Sequence, residues 1–468
     1  MGGTGRAIPN RVPKESSLPN RETADAPAAW TKAAVVLFGF AWLTLRAPNL
    51  LAAPRFWAEE GAFVSAATRL DPLESLVFVY WRAGYYSWAT NLGATLGVHL
   101  LPLELAPVAT TGLALLLQMS PIVAVLFLRF DFRLSGGQRA IAALVLSTTT
   151  SSNQGFAWLN TISSQMFTGT LTAIVLLAAA DQGTRRRSWG MVLLLLATGL
   201  SGPYAVFLLP VFLVVAFAER DRWRIRQAAA LSTACAIQLG VVLYKRFGLD
   251  LVNEKRGGGE LDFDAIASGI RETISSPMFG QRALMGTESQ QNGLAALSLI
   301  VLTIATAVLI RSALRTRRRG EHARLAWLGS VDLRCHLAWL TTVCAIGFVS
   351  YEGIPAKRYA IVPGALTMMI VLLASYRTRS KPVRLLLVAV LATCVLSGLR
   401  KPRFPEDLAC DGASSGWQTA AREWSGNSVV QLPHCPAGWT IEIHPDDDSA
   451  ASTESARPDF DLSASAGP

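Results

Sequence analysis

Two carboxylates stand next to each other in Pro54-Arg55-Phe56-Trp57-Ala58-Glu59-Glu60-Gly61. Held in a low-dielectric site, one carboxylate of such a pair is suited to general-base work on a hydroxyl. Adjacent residues on a helix diverge by about 100°, so only one of the two faces a substrate. The sequence leaves Glu59 and Glu60 as alternatives, with a slight preference for Glu60 because Gly61 gives the backbone room beside a ligand. A bland role is equally natural: 59–70 reads as a short helix, whose dipole stabilises acidic residues in its first turn.

Other groups offer binding chemistry. Asn153 and Gln154, then Trp158, Asn160 and Gln165, form an amide-rich patch. Amides pair with sugar hydroxyls and indole rings stack on sugar faces. The same residues also make a polar turn with an interfacial tryptophan. Ser201-Gly202-Pro203-Tyr204 breaks an apolar stretch, as happens where backbone lines a cavity or is shielded by protein. Tyr351, Lys357, Arg358 and Tyr359 combine cations and phenols, suited to a phosphate or to snorkelling at a membrane edge. Trp57 completes the candidate binding set. No pair of cysteines has metal-ligand spacing and the five histidines do not cluster. The residues specify no metal site or cofactor, although Glu59 or Glu60 would suit a divalent ion.

The elements that position these groups are apolar. The 468 residues are 51% hydrophobic and only 16% charged, against roughly 25% charged in soluble domains. That excludes a soluble globular enzyme, a disordered chain and a disulfide-rich miniprotein. Apolar segments at about 31–51, 107–128, 139–152, 160–180, 189–200, 205–218, 227–246, 292–311, 333–351, 360–376 and 383–399 predict about 11 transmembrane helices. The stretch 87–105, with Asn91, His99 and Pro102, predicts a re-entrant or interfacial segment.

Positive charge orients the bundle. The basic connectors carry Arg129/Arg133/Arg139, Arg185–Arg187, Arg220–Arg226, Arg311–Arg334 and Arg377–Arg384. They fall on one side if 87–105 does not cross fully. The N-terminus is then cytoplasmic and the C-terminus extracytoplasmic, and the net charge of +10 reports topology, not a nucleic-acid partner. The division expected is a disordered tail 1–29, a membrane domain 30–400 with outer loops 52–106 and 247–291, a small outer module 401–448 and a disordered acidic tail 449–468. An amphipathic helix is expected near 263–283, and short strands at 429–433 and 439–443. Cys410 and Cys435 both fall outside, where disulfides form. A bridge between them closes a loop of about 25 residues, worth roughly 3 kcal/mol.

A first span followed by an acidic pair in a long outer loop, a later outer amide/Trp motif and an outer Arg-Tyr resembles the GT-C class of polytopic glycosyltransferases. Phe56–Ala66, Ala157–Gln165, Ser201–Pro210 and Arg358–Pro363 carry the likeness in residues. The resemblance implies an all-α, GT-C-like membrane enzyme of the bacterial plasma membrane. It would move a hexosyl or pentosyl group from a polyprenyl-phosphate sugar to an extracytoplasmic glycan, lipid or protein. It further implies that the acidic residue of the first outer loop, here Glu59 or Glu60, activates the acceptor. Alternatives are a transporter or flippase of lipid-linked glycans and a non-catalytic membrane assembly protein. A transporter wants ionisable or broken-helix sites at mid-membrane, and these spans are nearly free of charge.

Overall fold

The computed structural model describes residues 28–80, 85–130, 134–149, 158–247, 263–280, 286–319, 330–351, 359–400, 413–424, 428–435 and 439–444. The chain is a mostly helical membrane protein. Among the described residues, five helices are long and apolar enough to cross a bilayer: Leu103–Phe127, Arg222–Lys245, Glu288–Arg315, Val331–Phe348 and Lys381–Arg400. Four shorter apolar helices accompany them: Ala29–Leu45, Ser164–Leu177, Tyr204–Glu219 and Ile361–Arg377.

In chain order the first helices are α1 (Ala29–Leu45), α2 (Pro48–Ala52), α3 (Glu60–Ala67), α4 (Pro72–Val77), α5 (Trp88–Leu100) and α6 (Ala106–Phe127). Next come α7 (Gly136–Thr148), α8 (Ser164–Leu177), α9 (Arg185–Gly199), α10 (Tyr204–Glu219) and α11 (Arg222–Phe247). The amphipathic segment is α12 (Phe263–Phe279), followed by α13 (Glu288–Arg319), α14 (Val331–Tyr351), α15 (Ile361–Arg377) and α16 (Lys381–Arg400). Every apolar segment read as a span thus holds a helix. The stretch 87–105 holds α5 and one turn of 3₁₀-helix, Leu103–Leu105. The 13 residues of α5 pack on α3, α4 and α6.

Two helices form the centre. Every residue of α8 is buried, and α15 is buried from Val362 to Ser375. They touch each other; α6, α9, α10 and α14 surround α8, and α7, α12, α13, α14 and α16 surround α15. The outer helices turn leucine, valine and phenylalanine outward, including Leu385 at 70% exposure and Phe217 at 64%. Apolar surface on that scale is rare in water and ordinary against lipid. Between helices, packing and polar contacts replace the hydrophobic drive: Thr172 donates to Thr198 at 2.8 Å, and Gln238 bonds the backbone of Tyr86 and Gly199. At Gly398 a Cβ would collide with the Thr148 carbonyl, so glycine lets α16 approach α7.

Turns obey local chemistry. Asp71 and Glu74 form a capping box for α4, with Pro72 at its first position. Ser135 and Gln138 do the same for α7. Arg220, in the left-handed region at φ 52°, ends α10, and Asp221 then caps α11 through Trp223 N and Arg224 N.

The C-terminal part carries α17 (Ala413–Glu423) and an antiparallel pair, β1 (Val430–His434) and β2 (Trp439–Ile443). β2 coincides with the expected 439–443, and β1 is shifted by one residue from the expected 429–433. They do not close a core of their own. Trp417, Leu432, Ile441 and Ile443 share one apolar cluster with Phe56, Trp57, Phe63, Val64 and Ala106.

Candidate functional site

The loop after α2 is built by packing against this C-terminal part. Trp57 and Cys435 form an isolated parallel bridge; Ala58 N donates to Cys435 O at 2.6 Å and Cys435 N to Phe56 O at 3.3 Å. Phe56 meets Trp417 edge-on, ring centroids 4.9 Å apart. Cys435 is disulfide-bonded, and Cys235, Cys335, Cys344 and Cys394 are free thiols. Cys410, its expected partner, lies outside the described residues. Gly61 explains the tight fit: a Cβ there would lie 2.8 Å from His434 Nε2 and from Ile441 Cγ1. The space beside Gly61, expected for a ligand, is therefore filled by the hairpin. Gly61→Ala should loosen it, costing about 1–3 kcal/mol of overpacking, read as a lower melting temperature with faster protease cleavage of the tail. Unchanged melting and cleavage would remove Gly61 from the account.

Ala58 lies in the left-handed region at φ 47°, turning the chain so that Glu60 points inward. Glu60 is fully buried. Its Oε2 accepts from Trp57 N at 2.8 Å; its Oε1 accepts from Thr161 N at 2.5 Å and Thr161 Oγ1 at 2.6 Å. Burial pushes its carboxyl above the usual range, against the downward pull of these bonds and of the Arg55 charge. Arg55 is itself buried, its guanidinium 4.1 Å from the Trp57 ring centroid. Desolvation lowers Arg55 to about 10, partly offset by Glu60, so it stays cationic at neutral pH. Its Nε and Nη2 have no hydrogen-bond partner among the described residues.

Glu59 differs. It precedes α3 and is half-buried; its side chain makes no cap hydrogen bond. The pair therefore splits into a buried connector, Glu60, and an accessible carboxylate, Glu59. Glu60, which the sequence slightly prefers as the base, has its carboxylate fully buried and accepting from three donors.

From Thr161 the site continues through the amide motif. Leu159 is left-handed at φ 49°, so two of the three non-glycine residues with positive φ among the described residues flank the Glu60–Thr161 contact. Such conformations are costly and gather at functional sites. Asn160 Oδ1 accepts from Ser163 N at 2.9 Å, next to the start of α8. Gln165, one turn on, donates to Ile162 O, while its buried Oε1 has no partner among the described residues. Gly202 stands against Gln165; with φ 153° and a Cβ position 2.5 Å from the Gln165 Cβ, it admits no side chain. Two residues later Tyr204 packs on Gly169 and donates its hydroxyl to Tyr359 O at 2.8 Å. The Tyr204 and Tyr359 rings lie 6.1 Å apart.

Of the residues expected from sequence, Trp57, Glu60, Asn160, Gln165, Tyr204 and Tyr359 thus join one buried polar path. Glu59, half-buried, precedes Glu60 in the chain, and Tyr351 ends α14. Asn153, Gln154, Lys357 and Arg358 lie outside the described residues. Trp57, expected to meet substrate, is instead buried under Arg55. Arg55 and Thr161 had no assigned role: Arg55 had a signal, a cation beside an acidic pair, whereas Thr161 had none. Among the described residues no three His, Cys, Asp or Glu side chains gather as a metal-holding group. Compared with protein families, curated proteins and solved structures, the chain matches none.

Proposed function

We propose that the protein is a membrane glycosyltransferase that moves a sugar from a polyprenyl-phosphate donor to an extracytoplasmic acceptor, on a GT-C-like bundle of about 11 crossings. The observation that supports the reading is the convergence of four distant motifs, around residues 57–60, 160–165, 201–204 and 359, on one polar path at one end of the helices. Glu59 accepts the acceptor hydroxyl proton as that oxygen bonds to the sugar's anomeric carbon. The bond from that carbon to the lipid phosphate breaks, and the polyprenyl phosphate leaves. Arg358, next to Tyr359 in sequence, stabilises the leaving phosphate. Glu60 positions the loop and takes no proton.

Purified protein in nanodiscs, given a panel of polyprenyl-phosphate sugars and an envelope extract as acceptor, tests this. Release of free polyprenyl phosphate with labelled acceptor supports transfer. Movement of intact donor between leaflets identifies a transporter, and neither event leaves an assembly role; both outcomes defeat the proposal.

The orientation has its own test. Reporter fusions after Arg324 and after Trp439 should report opposite sides, cytoplasmic and extracytoplasmic, because the reverse would put the basic connectors outside. The same side for both would break the topology.

A further inference from the structure

At the far ends of α9 and α11 from the polar path lies a second, basic feature. The C-terminal end of α9 leads to Gly202 beside Gln165, and Gln238 of α11 bonds Gly199 O. Their N-terminal ends, Arg185 and Arg222, are therefore one helix length away. There a cavity of about 430 Å³ opens at the start of the two helices, lined by Asp181, Arg185, Arg222, Trp223 and Arg226.

Three cations share this cavity with one carboxylate, and that carboxylate is engaged: Asp181 Oδ1 accepts from Gly183 N at 2.8 Å and Ser188 Oγ at 3.3 Å. No ion pair to a described residue holds Arg185, Arg222 or Arg226, whereas neighbouring Arg224 is paired with Glu219. Two helix N-termini add partial positive charge. Two of the three arginines lie over aromatic rings. Arg226 lies 4.6 Å from the Trp223 centroid and 5.1 Å from that of Trp189; Arg222 lies 5.7 Å from Trp223. The two indoles meet edge-on at 5.8 Å. Cations serving only to orient a bundle need no common cavity. These converge on one, over an aromatic wall.

We propose that this cavity binds the phosphate of an anionic phospholipid headgroup at the membrane surface opposite the polar path. Guanidinium forks match phosphate oxygens, and tryptophan favours the headgroup level. A lipid is favoured over a soluble phosphate because exposed Leu193 follows Trp189 by one turn of α9, continuing the site as apolar surface for an acyl chain. The proposal is independent of the glycosyl-transfer reading.

The test is native mass spectrometry of the full chain in detergent with phosphatidylglycerol, phosphatidylcholine or inorganic phosphate. Wild type should retain phosphatidylglycerol over phosphatidylcholine by about tenfold or more. Arg222→Gln/Arg226→Gln should lose that preference, while Arg379→Gln/Lys381→Gln, which removes two cations elsewhere, should keep it. Should the double variant fold poorly, Arg226→Lys retains the charge without the fork and should bind with intermediate preference. Millimolar phosphate that displaces the lipid would keep the phosphate site but point to a soluble source. Failure to displace it supports the lipid. Equal retention in wild type and in the site variants, or equal loss in the control pair, would overturn the proposal.

Discussion

Glu60→Ala is expected to lower unfolding stability by about 3 kcal/mol or more, because three buried donors lose their common acceptor. It removes the shared acceptor of Trp57 N, Thr161 N and Thr161 Oγ1. It also removes the nearby negative charge that offsets part of the desolvation of the buried Arg55 guanidinium. Each buried donor left unsatisfied costs about 1–3 kcal/mol, and the terms overlap because the groups form one network. Thr161→Val, which removes only the hydroxyl donor, should cost about 1 kcal/mol. Glu59→Ala should stay within about 0.5 kcal/mol, as at a partly exposed site without bonded partners. Denaturant melts in detergent read all three. If Glu60→Ala melts with wild type, Glu60 is not the connector its geometry describes.

This split between two adjacent glutamates marks where sequence reasoning stops. Helical geometry shows that only one of the pair can face a substrate, and it cannot say which. The choice depends on Thr161, 101 residues away, and on His434 and Ile441, which occupy the space beside Gly61. No local pattern records those contacts. Local patterns record the elements much better. Runs of apolar residues, the amphipathic pattern near 263–283 and the strand-like segments 429–433 and 439–443 are properties of neighbouring residues, and a helix or strand covers most of each. The sharing of one core by Trp417 and Phe56 was not legible. An apolar residue in a short tail reads the same whether it packs within the tail or onto a distant loop. Gly202, Tyr204 and Tyr359 were legible as a helix break and an aromatic edge, but their meeting is a product of how α8, α10 and α15 pack.

Glu59→Gln carries the largest expected effect on activity. It keeps size and hydrogen-bonding shape and removes the proposed base, so transfer should fall by roughly 100-fold or more. Because the Glu59 side chain makes no cap hydrogen bond, melting and donor binding should be unchanged. The loss should appear in kcat and leave the donor KM near wild type. Glu60→Gln should behave differently. Its new amide donor meets the Trp57 N–H, so stability falls along with activity, and any lost turnover should scale with unfolded protein. A Glu59→Gln enzyme with normal kcat would move the base elsewhere in the path.

The central claim is that this bundle breaks the bond between a sugar and a polyprenyl phosphate, using Glu59. Single-turnover release of polyprenyl phosphate in nanodiscs, with excess enzyme over labelled donor and acceptor present, measures that step without product release intervening. Folded wild-type protein should release it, and folded Glu59→Gln protein should do so roughly 100-fold more slowly or worse. Equal rates for the two proteins, or no release by wild type from any donor of the panel, would contradict the account.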